Sequence, residues 1–164
     1  MVVDQDDVLA ELPALPAVPV SAGALIFDRR GRLLILNPTY KSGWTLPGGV
    51  MEANGETPWQ ACRREVVEEC GLELSSGRLV CVDTRPARPG RAAGVRFLFD
   101  CGTLSDVRLA AVRVQAEEAS EYRLAGLPVA LRLLRKPLRR RVRAACRADG
   151  FVYLENGRRV PGVR

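Results

Sequence analysis

Three carboxylates carry the first chemical signal. Glu65, Glu68 and Glu69 stand at i, i+3 and i+4 within Arg64-Glu65-Val66-Val67-Glu68-Glu69-Cys70-Gly71-Leu72. On a helix each residue advances by about 100°, so the three side chains fall within about 100° of one face. Like charges at that spacing repel weakly. A divalent cation held between them would turn the repulsion into binding. A solvated helix face and a simple Arg64–Glu68 ion pair are the plainer readings of the same residues.

Local signals bound the helix. Thr57 suits its N-cap, Pro58 its first turn, and Gln60 completes a T-x-x-Q capping box. Gly71 suits the left-handed residue just past the end. Over Pro58 to Cys70, Trp59, Cys62, Val66 and Cys70 form an apolar stripe with the glutamates beside it. Ala61, one turn before Glu65, is expected to leave room among the carboxylates for a bulky anion.

A glycine-rich turn, Leu46-Pro47-Gly48-Gly49, precedes this helix, and the whole from Gly49 through Leu72 resembles the Nudix box, G-x5-E-x7-R-E-U-x-E-E-x-G-U with U aliphatic. From Glu56 to Leu72 the match holds position by position. Between Gly49 and Glu56 six residues stand where the motif has five, and Asn54-Gly55, a favoured turn pair, is expected to absorb the extra one. The resemblance implies an α/β (α+β) fold, a Nudix-type α/β/α sandwich with a mixed β-sheet. It also implies Mg²⁺- or Mn²⁺-dependent hydrolysis of a nucleoside diphosphate linked to another moiety. Glu65, Glu68 and Glu69 would hold the metal with a main-chain carbonyl of Gly48 or Gly49, since hard oxygen donors suit such ions. Arg64 would orient Glu56 or Glu65, and Glu52 would belong to the surrounding shell or to the turn. The general base would be Glu65 or a loop carboxylate among Glu117, Glu118 and Glu121, with Glu118 favoured.

Substrate contacts are less specific. Trp44 and Tyr40 flank the glycine turn and could stack on a base or pack in the core. Arg85, Arg88 and Arg91 lie in a Pro/Arg/Gly-rich loop expected to be flexible and able to reach phosphates; a solvated loop explains them as well.

Composition narrows the chemistry. A chain of 164 residues, 47% hydrophobic and 27% charged, has the make-up of a single globular domain. No apolar run approaches a membrane span, and the acidic start is unlike a secretory signal, so a cytoplasmic location is the expectation. With no histidine, triads and histidine metal sites are excluded, and acid–base work falls to carboxylates, lysine, tyrosine or metal-activated water. The five cysteines, Cys62, Cys70, Cys81, Cys101 and Cys146, form no C-x-x-C pair and are expected to be buried apolar residues.

The net charge of +6 is uneven: residues 131–148 hold eight basic and no acidic residues. That segment could attract nucleic acid. Leu138, Val142, Ala145 and Cys146 instead repeat like the docked stripe of a helix, which would leave the arginines facing water.

Along the chain, residues 1–17 read as a lead-in, 18–148 as the Nudix domain and 149–164 as a tail with a hairpin at Asn156-Gly157. Strands are expected over Val18–Phe27, Arg32–Leu36, Arg78–Thr84, Val95–Cys101 and Tyr122–Leu124, with weaker ones at Trp44–Leu46 and Ala111–Val114. Further helices are expected over Leu127–Leu134 and from near Pro137. The expected partner is a nucleotide or other diphosphate small molecule, with no membrane. A nucleic-acid-binding protein and a non-catalytic nucleotide-sensing module rank below the enzyme, and a homodimer is carried as an expectation.

Overall fold

Side-chain alternation in the central strands sorts the core into two layers. On β1 (Val20–Phe27), Ala22, Ala24 and Ile26 join one apolar cluster and Leu25 the other; on β2 (Arg32–Pro38), Leu34 and Leu36 oppose Leu33 and Ile35. Strands with apolar residues on both faces must be covered on both sides. The computed structural model, which describes residues 17–40 and 42–163, has that arrangement.

The remaining elements are β3 (Gly48–Val50), α1 (Pro58–Cys70), β4 (Arg78–Arg85), β5 (Gly94–Thr103), α2 (Asp106–Ala110), β6 (Ala119–Gly126), α3 (Leu127–Leu133), α4 (Lys136–Arg147), β7 (Val152–Glu155) and β8 (Arg158–Arg159). One mixed sheet runs β6-β2-β1-β5-β4-β7-β8, with β3 also paired to β1. β1 lies parallel to β5 and β4 parallel to β7; the other pairs are antiparallel. Cys62, Val66 and Cys70 of α1 close one layer with Ile26, Leu34 and Phe99. Ala130 of α3 and Val142 and Ala145 of α4 close the other with Leu33, Leu98 and Leu154. The expected α/β/α sandwich is therefore the fold.

Helix α1 has the expected ends. The Gln60 amide donates to Thr57 Oγ1 at 3.3 Å, the Thr57 amide donates to Gln60 Oε1 at 2.8 Å, and Gly71 adopts φ 68°. These contacts satisfy amides that an uncapped helix leaves orphaned.

Several expectations are corrected. Ala111–Val114 is not a strand: Ser105 caps the short helix α2, and Val112 beyond it is buried against the α1 layer. The strand expected at Trp44–Leu46 is reduced to isolated bridges, and the paired strand begins two residues later at Gly48. The short strand at Tyr122–Leu124 extends over all of β6. Cys101 is half-buried and Cys146 exposed, so the stripe of α4 runs through Leu138, Val142 and Ala145 only. The hairpin expected at Asn156-Gly157 is present: Asn156, at φ 52°, and Gly157, at φ 72°, turn β7 into β8, and both strands join the same sheet. Residues 1–16 of the lead-in lie outside the described residues.

Candidate active site

The glycine corner is built by close backbone approach. β3 pairs Gly48 with Gly23 and Gly49 with Ala22 on the central strand β1. A Cβ on Gly48 would sit 2.2 Å from the Ala22 carbonyl oxygen, and φ there is 138°, so the position takes glycine alone. At Gly49 a Cβ would stand 2.3 Å from Cδ of Glu65, so that carboxylate leans on bare backbone. The Gly48 amide donates to Glu69 Oε2 at 2.7 Å, and Glu69 is only 5% exposed. Two of the three motif glutamates on α1 thus converge on this corner. Replacing Gly49 with Ala is expected to displace the Glu65 carboxylate, the end of a side chain, rather than the backbone. Turnover should fall about tenfold with a stability change under about 1 kcal/mol; unchanged turnover would show that the Glu65 position is immaterial.

Arg64 organises the opposite side. Its Nε and Nη2 donate to the two oxygens of Glu56 at 2.8 and 3.2 Å, and Nη1 donates to Glu65 Oε1 and Glu68 Oε2, both at 3.0 Å. Nη2 also donates to the Val50 carbonyl at 3.1 Å, tying α1 to the end of β3. Such a fork-to-carboxylate contact is geometrically exacting. The additional residue before Glu56 is taken up by the turn: the Glu56 amide donates to Asn54 Oδ1, Gly55 adopts φ 85°, and the Glu52 amide donates to Glu56 Oε2 at 2.8 Å. The longer loop, the one feature favouring a non-catalytic module, leaves Glu56 paired with Arg64. Glu52 lies at the margin, 4.0 Å from Arg64 and bonded to Asn54.

These contacts set opposite charge states. Hydrogen bonds from Arg64 and from the Glu52 amide hold the Glu56 carboxyl below its usual range. Burial pushes Glu65 up against the opposing pull of Arg64, and the charges of Glu68 and Glu118 add to the rise. A carboxylate raised in the folded state contributes stability present below its ordinary value and lost as pH rises through the folded value; Glu56 has the reverse sign, losing its contribution as pH falls. In metal-free buffer, the stability of wild type minus that of Glu65→Gln should therefore decline as pH rises from the ordinary value of 4.5. A flat difference between about pH 4 and 7 in chemical denaturation would contradict this account.

Glu118 closes the turn that leads into β6, which is docked by the Thr39 hydroxyl on the Glu117 carbonyl at 2.6 Å. Its charge reaches Glu65, whereas Glu121 faces Asn37 on the neighbouring strand.

A cleft of about 320 Å³ opens beside the corner, with Gly48, Gly49, Ser21 and Phe97 in its wall. Arg85, Arg96, Arg135 and Arg141 line it from β4, β5 and the start of α4. Of the expected substrate residues Arg85 is here, and Arg88 lines an adjoining cleft. Trp44 is elsewhere: 9% exposed, packed in the core under α3 and α4, with the Arg123 guanidinium 4.8 Å over its ring. Tyr40 is 60% exposed. Ala61 is fully buried and leaves no room for an anion. Sequence reasoning missed Arg96, Arg135 and Arg141. Arg96 had one signal, a charge between Val95 and Phe97 in an apolar strand.

The donors at the corner fit a hard divalent cation in type: carboxylates against a glycine backbone, one raised by burial and by neighbouring negative charge. Among the described residues no three acidic side chains are gathered as a closed cation cage. Glu65 and Glu68 engage Arg64, and Glu69 engages the Gly48 amide.

A mixed sheet between helical layers thus carries a capped glutamate helix bonded to a glycine corner. The family model for the NUDIX domain matches residues 17–145, and the chain belongs to the Nudix family. Members of this family generally use divalent metal ions. The chain is 36% identical over 72 residues to a MutT-like protein of Streptomyces ambofaciens, a match covering 44% of this chain and 46% of that one. It is 38% identical over 60 residues to an RNA pyrophosphohydrolase of Hydrogenovibrio crunogenus, covering 37% and 36% respectively. The matches thus span less than half the length of either relative. Among solved structures, a MutT protein of Methanosarcina mazei superposes with a TM-score of 0.61 at 25% identity, over 74% of this chain and 88% of that one. No helix among the described residues is long and apolar enough to cross a membrane.

Proposed function

We propose that this protein is a Mg²⁺- or Mn²⁺-dependent pyrophosphohydrolase that cleaves the diphosphate linkage of a nucleoside diphosphate joined to another moiety. The observation that carries the reading is the convergence of Glu65 and Glu69 on the Gly48–Gly49 corner beside an arginine-lined cleft. Glu65, Glu68 and Glu69 would hold the cation, joined by a carbonyl of Gly48 or Gly49. When bound, the ion neutralises charge developing on the diphosphate and makes water a better nucleophile.

The chain's own groups supply the rest. Arg64 fixes Glu65 and Glu56 in place and keeps α1 against β3. Arg85, Arg96 and Arg141 face the substrate phosphates from the cleft wall. Attack of water on phosphorus forms one P–O bond, the bridging P–O bond breaks, and the leaving phosphate keeps its electron pair. The proton of the attacking water passes to a carboxylate. Glu118 is preferred over Glu117 and Glu121 for this, because its charge acts on Glu65; Glu65, already raised, is the second candidate.

Incubation of the purified protein with Mg²⁺ or Mn²⁺ and a panel of nucleoside diphosphate derivatives, with products identified by mass, tests the reading. Cation-dependent release of phosphomonoesters from at least one compound is expected. A folded protein inert toward the whole panel would sink it.

A further inference from the structure

A second cleft, of about 620 Å³, adjoins the first and shares Arg85, Pro137 and Arg141 with it. Its cations are Arg85, Arg88, Arg91, Lys136, Arg140 and Arg158, besides the shared Arg141. They come from the end of β4, the β4–β5 connection, the first turns of α4 and β8. Part of this wall, from Glu155 to Arg158, lies beyond the residues matched by the family model.

The acids in the wall are already engaged. Asp83 is buried and accepts from Arg141 Nε at 2.6 Å and from the Gly157 amide at 2.8 Å, which ties the terminal hairpin to α4. Glu155 accepts from the Tyr153 hydroxyl at 3.1 Å. None of the six other cations forms an ion pair among the described residues.

The β4–β5 connection is a built element rather than the flexible loop its composition suggests. The amides and carbonyls of Arg88 and Arg91 exchange two hydrogen bonds of 2.9 Å across Pro89-Gly90, with Gly90 at φ 71°. This holds Arg88 and Arg91 directly opposite each other on one face of a narrow ribbon, where like charges oppose pairing. Helix α4 begins nearby with no side-chain cap and no acid in its first turn. Each of these features is unfavourable by itself, and a bound anion would relieve each. The wall contains no aromatic ring, and its cations suit phosphate oxygens.

We propose that this cleft binds a phosphate-bearing group of the substrate remote from the hydrolysed bond, so that the preferred substrates carry more phosphate than the scissile diphosphate. The assignment to the substrate rests on the pyrophosphohydrolase reading, through the walls shared with the glycine-corner cleft. The anion site itself does not.

The test therefore has two arms, using Arg91→Ser combined with Arg158→Ser. Arg132→Ser with Arg143→Ser, on another face of α3 and α4, removes the same charge and serves as control. In the first arm, calorimetry in EDTA measures binding of inorganic tripolyphosphate. Wild type and control should bind alike and the cleft variant at least about tenfold more weakly; equal binding by all three overturns the site. In the second arm, kcat/KM is measured with diadenosine tetraphosphate and with diadenosine diphosphate. The cleft variant should lose about tenfold or more on the tetraphosphate and less than about twofold on the diphosphate. Equal losses on both, or none, overturn the assignment to the substrate. If the first arm succeeds while wild type hydrolyses neither compound, the anion site stands as a site for free polyphosphate and the assignment to the substrate falls, while the catalytic reading is decided by the wider panel.

Discussion

Glu69→Gln is expected to lower cation-dependent turnover by about 10³-fold or more while leaving the fold nearly unchanged. The substitution is informative because the side chain has two separable duties. As a hydrogen-bond acceptor it holds the Gly48 amide at 2.7 Å, and a glutamine oxygen can do the same. As a buried negative charge beside Glu65 it would contribute to holding the cation, and the amide cannot. Structural loss should accordingly be about 1 kcal/mol or less. Turnover and thermal midpoint, measured on the same preparation, separate the two. Wild-type rates in the variant would remove Glu69 from the metal site, and a collapse of the midpoint would make it a structural residue first.

Arg64→Ala should depress both quantities. The guanidinium satisfies Glu56, Glu65, Glu68 and the Val50 carbonyl at once, and its loss leaves a cluster of carboxylates facing one another with no cation between them. The thermal midpoint of the metal-free protein should fall by roughly 5–10 °C, and kcat/KM by roughly 10²-fold as Glu65 loses its fixed position. Arg64→Lys should recover only part of either, because one ammonium cannot make the forked contact with Glu56. Adding the divalent cation should narrow the stability gap between Arg64→Ala and wild type. A gap that widens with cation would contradict this, showing that wild type binds the ion more tightly and that Arg64 shapes the cation site rather than standing in for the ion.

How much of this was legible in the sequence depends on how local the signal is. The ends of α1 were readable to the residue, because the Thr57–Gln60 box and Gly71 act within one turn of where they stand. The strands of the central sheet were visible as apolar runs, and the hairpin at Asn156-Gly157 as a turn pair. Val112 and Val114 imitated a strand by alternating with polar residues, although Ser105-Asp106 just upstream is a helix-start pattern. Trp44 lay near the motif in sequence, yet the chain carries it under α3 and α4. Arg85, Arg96 and Arg141 belong to three separate elements and meet only once the sheet is ordered, so periodicity along the chain could not group them. The paired glutamates were found by spacing, whereas the depth of Glu69 and its bond to the Gly48 amide required the packed corner.

The outermost strand β8 has one further consequence. It is two residues long, and both are arginine. An open sheet margin is a template on which another polypeptide can add itself, and brevity and positive charge are two ways that proteins blunt it. Growth of fibrils or stacking of copies through this side of the sheet is thereby disfavoured.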